Sequence, residues 1–485
     1  MPLNTDTGYQ RLTHLADCIC CSPQAQQLFA RINKGLSRRS VLKGLSASLA
    51  TPALGIISPA FAQAAAKPIR LVNARIFDGI QGKLIQGRDV LVHGTFIHDL
   101  IDAADTVADA ETIDCGGRTL MPGMIDAHWH SILAGISQMA AMTADIPYIH
   151  LVAAGEAERT VLRGFTTVRD AGGPAFALKR AIDEGRLPGP RIYPSGAMIS
   201  QTSGHGDFRT LAEVPRTAQT GLSLAERAGI SAIADGGHEV LRRVREQLML
   251  GASQIKIMGG GGVASAYDPI DALQYTDAEM KAAVSAAADW GTYVCVHTYT
   301  SAGIQRALAN GVKSIEHGQL ADEETVKRIA DADAWWSIQP FLADEDANTY
   351  SSPLQREQQQ RIAEGTARAV EWGRKYQVKM ALGTDILFNP KGTATQGKQL
   401  AKFARWYDNV EVLRLLTSGN AELAALSGAR NPYPGKLGRI EVGAYADLLV
   451  IDGNPLEDLS LIARPEQSMK LIMKDGRIHK NTLGA

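Results

Sequence analysis

The chain has 485 residues, and its 50 Lys and Arg residues nearly balance its 51 Asp and Glu residues, giving a formal net charge of −1. This balance excludes the strongly basic surface on which nucleic-acid binding depends. The length allows about three domains of ordinary size, or a barrel of roughly 250 residues or more with a smaller companion domain.

Residues 1–62 are predicted to be a twin-arginine signal peptide. The segment Ser37–Lys43 carries the arginine pair, the modestly apolar stretch Gly44–Phe61 follows, and Ala60–Ala62 offers a cleavage site. A short amphipathic helix is the alternative. The apolar stretch is too interrupted for a stable transmembrane span. We therefore expect a protein without a stable membrane anchor that is periplasmic or secreted after export.

Both ends of the remaining chain consist of short apolar strands separated by turn residues. Such strands occur in residues 68–120, for example Asp89–Val92, and in residues 435–480, for example Ala446–Ile451. Because the middle of the chain has a different pattern, the economical arrangement is one small β-sandwich domain built from residues 68–120 and 435–480.

Residues 121–434 alternate strand-like and helix-like patterns. Thr276 and Glu279 form a capping box at the start of one of these helices. Eight β/α units predict an α/β fold of the (β/α)8 TIM-barrel type, with the active site at the carboxyl ends of the strands. The strand-like segments are Met121–His130, Gly164–Asp170, Arg191–Pro194, Gln254–Met258, Tyr293–His297, Ser314–His317, Trp335–Pro340 and Val378–Gly383.

Potential metal ligands fall at the ends of these strands. His128 and His130 are one residue apart, so both imidazoles point to the same face of a strand end. A single histidine on an apolar strand is more often a core residue than a ligand, but the joint placement favours a binuclear metal site. The six candidates are His128, His130, Lys256, His297, His317 and Asp385.

Imidazole and carboxylate groups suit divalent ions, Zn²⁺ above all. We expect His128, His130 and Asp385 to bind the more buried ion, and His297 and His317 to bind the second. Two ions would activate a bridging water, and Asp385 would take its proton and pass it to the leaving nitrogen.

Lys256 is the unusual member of this set, because an ammonium group cannot bind a metal ion. A lysine held neutral beside two cations can add carbon dioxide, and the resulting carbamate can bridge both ions. The alternatives for Lys256 are a helix cap or an ion pair with an acid.

Two further residues are candidates for contact with the substrate. His205 lies between glycines in Ser203–Asp207, where it could polarise the substrate carbonyl, and a solvent-exposed turn histidine is the alternative. Tyr267 could hydrogen-bond a substrate carboxylate, or simply pack. Asp126 has the same strand parity as His128 and is expected to support it. Gly259–Gly262 is not followed by the residues of a phosphate-binding loop.

Several of these motifs resemble the amidohydrolase superfamily. Met121–His130 is similar to its first-strand signature, Gly383–Asp385 to its eighth strand, and Ala446–Leu456 to the end of its β-domain. Gly164–Asp170, the Gly-His-Gly-Asp run at His205 and the strand-four lysine resemble the imidazolonepropionase-like branch. That branch includes Xaa-Pro dipeptidases, Lys/Arg carboxypeptidases and ochratoxin amidohydrolases. The resemblance implies two zinc ions, a carboxylated Lys256 and a homo-oligomer, octamers among them.

The sequence thus predicts a binuclear metal-dependent amidohydrolase that acts on a small-molecule amide or peptide substrate. Its substrates would be N-acyl amino acids or dipeptides, a class that includes ochratoxin A, which gives ochratoxin α and phenylalanine. The alternatives are a cyclic amidase or deaminase of the imidazolonepropionase type, and a metal-free scaffold protein.

Overall fold

The computed structural model describes residues 67–217, 219–264, 267–350 and 352–484. The predicted signal peptide, residues 1–62, lies outside this range. Within the described residues, no helix is both long enough and apolar enough to span a membrane.

The strands are numbered in chain order. They are β1 Ile69–Val72, β2 Arg75–Ile76, β3 Arg88–His93, β4 Phe96–Asp102, β5 Glu111–Asp114, β6 Thr119–Pro122, β7 Met124–Trp129, β8 Phe165–Asp170, β9 Arg191–Pro194, β10 Met198–Ser200, β11 Ser231–Ile233, β12 Ile255–Met258, β13 Val294–Thr300, β14 Ser314–Leu320, β15 Trp335–Ile338, β16 Lys379–Leu382, β17 Leu448–Ile451, β18 Met469–Lys474 and β19 Arg477–Asn481.

The helices are numbered in the same way, and short 3₁₀ and π turns are left without labels. They are α1 Gln138–Thr143, α2 Ile146–Leu162, α3 Phe176–Asp183, α4 Leu224–Arg227, α5 Gly237–Leu250, α6 Asp277–Asp289, α7 Ser301–Ala309, α8 Glu323–Asp331, α9 Pro353–Lys375, α10 Gln396–Ala401, α11 Asn409–Arg414, α12 Asn420–Ala425 and α13 Pro465–Ser468.

Two sheets form a β-sandwich to which both ends of the described chain contribute. One sheet has the strand order β4-β3-β1-β5, and the other has the order β19-β18-β17-β6-β2. In β17, Leu448 and Val450 point into the core between the sheets, while Leu449 and Ile451 point into the large core of the barrel. This alternation with a period of two buries both faces of the strand, which explains why β17 is apolar throughout.

The barrel consists of parallel strands in two arcs, β7-β8-β9 and β11-β10-β12-β13-β14-β15-β16. Each of the eight strands expected from the sequence is present, and the α/β barrel with a terminal β-sandwich is confirmed. The bounds of the two domains stay a prediction. One departure is the third strand, which is divided into β9 and β10. Gly196 lies between the two parts with a φ of +77°, a conformation that favours glycine.

The seam between the first and last barrel strands brings the ends of β7 and β16 together. The Asp385 amide donates a hydrogen bond of 2.8 Å to the His128 carbonyl. The Asn420 side chain donates to the carbonyls of Ile125 and Leu382, one on each strand. A Cβ on Gly383 would lie 2.4 Å from the His128 nitrogen, so only glycine permits this approach.

Candidate metal centre

His128, His130 and Asp385 meet at the carboxyl end of the barrel. The Oδ1 atom of Asp385 lies 3.3 Å from His128 Nε2 and 3.1 Å from His130 Nε2. Ligand atoms bound at about 2.0–2.2 Å to one ion lie roughly 3–4 Å from one another. The spacing of these atoms therefore fits a shared metal ion.

The hydrogen bonds of the two imidazoles show which nitrogen faces this point. His128 Nδ1 donates to Glu316 at 2.8 Å, and His130 Nδ1 donates to the Gly172 carbonyl at 2.9 Å. Neither acceptor can donate in return, so each ring, when neutral, carries its proton on Nδ1 and presents the Nε2 lone pair to the Asp385 carboxylate. Such electron-rich atoms are held together by a positive charge, which a divalent ion would supply.

His317 joins the same group from β14. One ligand atom each of His128, His317 and Asp385 lie within 4.8 Å of one another. His317 Nδ1 donates to Gln339 Oε1 at 2.7 Å, which leaves Nε2 as its lone-pair nitrogen. This compact group combines residues that the sequence assigned to two different ions, so the division of ligands between ions stays a prediction.

His297 and Lys256 lie beside this group. The rings of His297 and His317 are 4.6 Å apart between centroids. His297 Nε2 donates to the Gly261 carbonyl at 3.1 Å, so its Nδ1 is the nitrogen available to a metal. Lys256 is buried, and its Nζ atom lies 3.4 Å from His128 Nε2. All six predicted ligands are thus gathered at one end of the barrel.

The electrostatics of the site favour neutral His297 and His317 beside an ionised Asp385. At His128, burial and Lys256 lower the pKa, but Asp385 and Glu316 together raise it above the ordinary 6.5. Burial lowers the pKa values of His297 and His317 well below the ordinary 6.5. Burial alone would raise the pKa of Asp385, but the histidines around it, His128 first, hold that pKa well below 3.8. Deprotonated histidine and ionised aspartate are the forms that bind metal.

Two of the candidate ligands have a left-handed backbone, with φ values of +73° for His317 and +54° for Asp385. Outside glycine this conformation is uncommon, although His and Asp adopt it more often than most residues. Strain of this kind concentrates at functional sites. At His317 it also turns inward a side chain that strand alternation would direct outward, since the preceding Glu316 already points into the barrel.

Glu316 and Arg169 form a buried support that sequence reasoning missed. Arg169 donates to both Glu316 carboxylate oxygens, at 2.8 and 3.1 Å, and Glu316 in turn accepts from His128. Burial would raise the pKa of Glu316, but Arg169 holds it well below 4.5. The signal was a charged pair placed within two apolar strands, where unpaired charges are costly.

Asp126, the expected support of His128, acts on the backbone rather than on the ring. Its carboxylate accepts from the amides of His128 and Thr384 at 3.1 Å, and from the Thr384 hydroxyl at 2.7 Å. Gln396 donates to the same carboxylate at 3.0 Å. Asp126 thereby holds the ends of β7 and β16 in the register that places the ligands.

His205 is held rigidly beside the metal ligands. Its Nδ1 donates to Asp268 at 3.0 Å, and its ring stacks on His297 with centroids 4.0 Å apart and an interplanar angle of 12°. A Cβ on Gly262 would lie 1.9 Å from the ring, so the glycine allows the imidazole to pack directly on the backbone. The solvent-exposed turn that was the alternative for His205 is therefore not what the structure contains.

A cavity of about 840 Å³ opens above the site, and its wall includes His205, His297 and Asp385. Tyr267 is 47% exposed and is absent from that wall as the described residues define it. A contact between Tyr267 and a substrate carboxylate stays a prediction.

Similarity to known proteins indicates the family to which this chain belongs. The model of the amidohydrolase family matches residues 119–479. An ochratoxinase from Aspergillus niger is 31% identical over 385 residues, covering 74% of this chain and 75% of that protein. A solved prolidase with bound N-methylphosphonate-L-proline is 33% identical with a TM-score of 0.78, covering 85% of this chain and 100% of that one. A Xaa-Pro dipeptidase with methionine in its active site is 27% identical with a TM-score of 0.73, covering 85% of this chain and 100% of that one.

These findings define a hydrolase that acts on amide or peptide bonds. The chain belongs to the amidohydrolase family, as its motifs predicted. Members of this family generally bind divalent metal ions, and the imidazole and carboxylate donors gathered here fit such ions.

Proposed function

We propose that this protein is a binuclear metal-dependent amidohydrolase. Its substrates are N-acyl amino acids and dipeptides, in which an amide joins an acyl group to an amino acid with a free carboxylate. Ochratoxin A, which would yield ochratoxin α and phenylalanine, belongs to this class. The observation that carries the proposal is the gathering of four imidazoles, Asp385 and Lys256 below one cavity.

In this proposal His128, His130 and Asp385 would hold one ion, and His297 and His317 would hold the other. Lys256 would supply a carbamate that both ions could share. Lys256 lies within β12 rather than at the end of a helix, and among the described residues it forms no ion pair with a carboxylate. Both alternatives raised for this lysine are therefore weakened.

When bound, the two ions would activate a water molecule and polarise the substrate carbonyl. Asp385 is suited to accept the proton of that water at its carboxylate, because the nearby histidines keep it ionised. It would then pass the proton to the leaving nitrogen. His205, fixed by Asp268, would orient the carbonyl of the scissile amide.

The first experiment is a screen of N-acyl amino acids and dipeptides with zinc-loaded protein, together with a metal assay. We expect two ions per chain and release of a free amino acid. Fewer than one bound ion per chain would favour the metal-free scaffold, and cleavage of cyclic amides alone would favour the imidazolonepropionase-like reaction.

Variants separate the roles within the site. Lys256→Ala should lose at least one ion and most activity, whereas substitution of the exposed lysine at the start of β16, Lys379→Ala, should lose neither. Near-normal turnover by Lys256→Ala would refute the bridging role. Asp385→Asn should still bind substrate but lose catalysis, and an unchanged rate would remove Asp385 from the proton transfer.

We also propose that the protein is exported by the twin-arginine route and works as a homo-oligomer in the periplasm or outside the cell. Replacing Arg38 and Arg39 by lysine should retain the protein in the cytoplasm, as measured by cell fractionation. Light scattering coupled to gel filtration tests the oligomer, and a monomer would contradict it.

A further inference from the structure

The cavity above the metal centre is larger than a dipeptide requires. Its volume of about 840 Å³ lies near the upper end of the roughly 300–1,000 Å³ range of pockets that enclose drug-sized ligands. Its wall is apolar beside His317 and carries carboxamides elsewhere, and this difference indicates what occupies the rest of the cavity.

Near the metal centre the wall is apolar. Val263, Tyr299 and Ile362 are buried in one cluster, and Phe341 and Tyr350 pack against them. The rings of Tyr299 and Phe341 lie nearly parallel to the His317 imidazole, at interplanar angles of 25° and 19°. The apolar wall therefore begins at a candidate metal ligand, next to the position of the scissile bond.

Another part of the wall carries carboxamides. Gln355, Gln359 and Ile362 all line the cavity, and their spacing of four and then three residues places them on one face of α9. Gln359 donates to the Asn348 carbonyl at 2.7 Å, and the Asn389 side chain donates to the Asn348 side chain at 3.2 Å.

The length of this face sets a scale for the ligand. Gln355 and Ile362 are seven positions apart, which corresponds to about 10 Å along the helix at about 1.5 Å per residue. An extended peptide advances about 3.3 Å per residue, so the face matches roughly three residues. A carboxamide both donates and accepts hydrogen bonds, as does the backbone of such a peptide.

Three of the lining carboxylates are paired with three cations. Asp346 lies 2.9 Å from both Lys398 and Lys402, and Glu345 lies 3.1 Å from Lys398. Asp344 lies 2.9 Å from Lys402 and 3.8 Å from Arg405. The remaining lining carboxylate in the described part of the chain is Asp385, which belongs to the metal centre. The free ammonium group of a dipeptide would therefore approach the two proposed metal ions, and no unpaired lining carboxylate in the described part of the chain would be available to it.

We propose that the carboxamide face of α9 is a subsite for a peptide extension on the acyl side of the scissile bond. The protein would then act as a carboxypeptidase on longer or N-blocked peptides in preference to free dipeptides. Water adds a hydroxyl group to the acyl carbon and a proton to the leaving amine, so one C-terminal amino acid is released. This inference rests on the proposed function.

A length series tests the subsite with the zinc-loaded protein. Alanine peptides of two to six residues would share the C-terminal amino acid that is best in the substrate screen, and an N-acetylated dipeptide would test the charge alone. We expect kcat/KM to rise at least about tenfold from dipeptide to tetrapeptide and then to level off. A flat or falling series overturns the subsite while the proposed function stands, whereas no cleavage of any amide overturns the proposed function.

Variants on α9 locate the effect. The measured quantity is the ratio of kcat/KM for the tetrapeptide to kcat/KM for the dipeptide. Gln355→Ala and Gln359→Ala should each lower this ratio by about two- to tenfold, the effect of one lost hydrogen bond. Gln360→Ala is the matched control, because Gln360 is exposed on the same helix and pairs with Glu364. A ratio that falls equally in all three variants, or in none, overturns the assignment.

Discussion

Two buried arginines on adjacent barrel strands form ion pairs of similar chemistry at opposite ends of the barrel. Arg169, near the carboxyl end of β8, pairs with Glu316. Arg191, at the start of β9, pairs with Asp447 and Asp475, and its guanidinium lies 4.0 Å from the Tyr445 ring centroid. The Arg169 and Arg191 side chains are 2% and 1% exposed, so burial does not distinguish them.

The two arginines differ instead in what their acidic partners, Glu316 and Asp447, bond to. Glu316 accepts a hydrogen bond from His128, a candidate metal ligand, whereas Asp447 accepts one from the Asp475 backbone in the sandwich. The same kind of ion pair therefore orients a candidate metal ligand at one end of the barrel and joins two parts of the fold at the other end. In barrels of this kind, the carboxyl ends of the strands carry function and the opposite ends carry stability.

The largest expected effect is at the structural pair. Arg191→Ala leaves Asp447 buried without its partner, so we expect the free energy of unfolding to fall by about 3–5 kcal/mol. Denaturant unfolding measures this, and the metal content of the folded fraction should be unchanged. Arg180→Ala, which removes an exposed pair with Glu184, should have no measurable effect. A loss of bound metal with unchanged unfolding would reverse the roles of the two arginines.

The next effect is at the pair below the metal centre. Glu316→Gln keeps the size of the side chain but removes the charge that holds His128, so we expect metal affinity to fall by about 10- to 100-fold. Competition with a chelator of known affinity measures the change. Asp447→Asn is the control at the other end, and should reduce stability without changing metal affinity. Equal metal affinities for wild type and Glu316→Gln would show that Glu316 only balances Arg169.

The pH dependence of stability should also differ between the two ends. In metal-free protein His297 and His317 stay neutral because their pKa values are well below 6.5, whereas the unfolded chain takes up protons as the pH falls. Stability should therefore decrease as the pH falls from about 6.5 to 5.5, by up to about 1.4 kcal/mol per histidine for each unit below the unfolded pKa. His128, whose pKa is raised, opposes this trend only above the unfolded pKa.

The ion pairs of Arg191 with Asp447 and Asp475 affect stability only at lower pH. Burial would raise the pKa of Asp475, but Arg191 and Lys474 hold it below 3.8, so its contribution is lost only as the pH falls below that value. Unfolding of Arg191→Ala should keep the slope between about pH 6.5 and 5.5, and His317→Ala should reduce it. A slope that follows Arg191 instead would contradict this separation.

The smallest effect concerns Asp268, a third buried acid, which supports His205. Asp268→Asn keeps an acceptor for His205 but removes the charge, and we expect kcat to fall by about tenfold, with metal content unchanged. Asp268→Ala and His205→Ala should be non-additive when combined, because both remove one arrangement. Fully additive losses would show that Asp268 does not act through His205.

The sequence predicted the positions of the ligands better than their supports. His128, His130, His297 and Asp385 follow apolar strands, and strands of a barrel end at a common rim, so their meeting could be predicted. Glu316 could not be separated from its neighbour by pattern, because His317 breaks the strand alternation through its positive φ. Local patterns do not encode such a conformation.

The pairing of residues in the cavity wall could not be predicted from the sequence either. The acids around Asp346 are paired with lysines that follow the eighth strand, more than 50 residues away in the chain. Loop geometry of this kind depends on tertiary contacts rather than on periodicity. The division of the third strand into β9 and β10 was missed for a similar reason, since a glycine marks a bend without fixing its direction.

The contact between Gly383 and His128 has a consequence for how the molecule assembles. An ion held jointly by His128 and Asp385 would link the ends of β7 and β16, the first and last strands of the barrel. It would therefore stabilise the seam at which the barrel closes. Chelation should therefore increase amide hydrogen exchange at the ends of β7 and β16 before it does so in β12 or β13. A nascent chain would form this metal-mediated link only after residue 385 has been synthesised. Metal uptake would thus report a closed barrel.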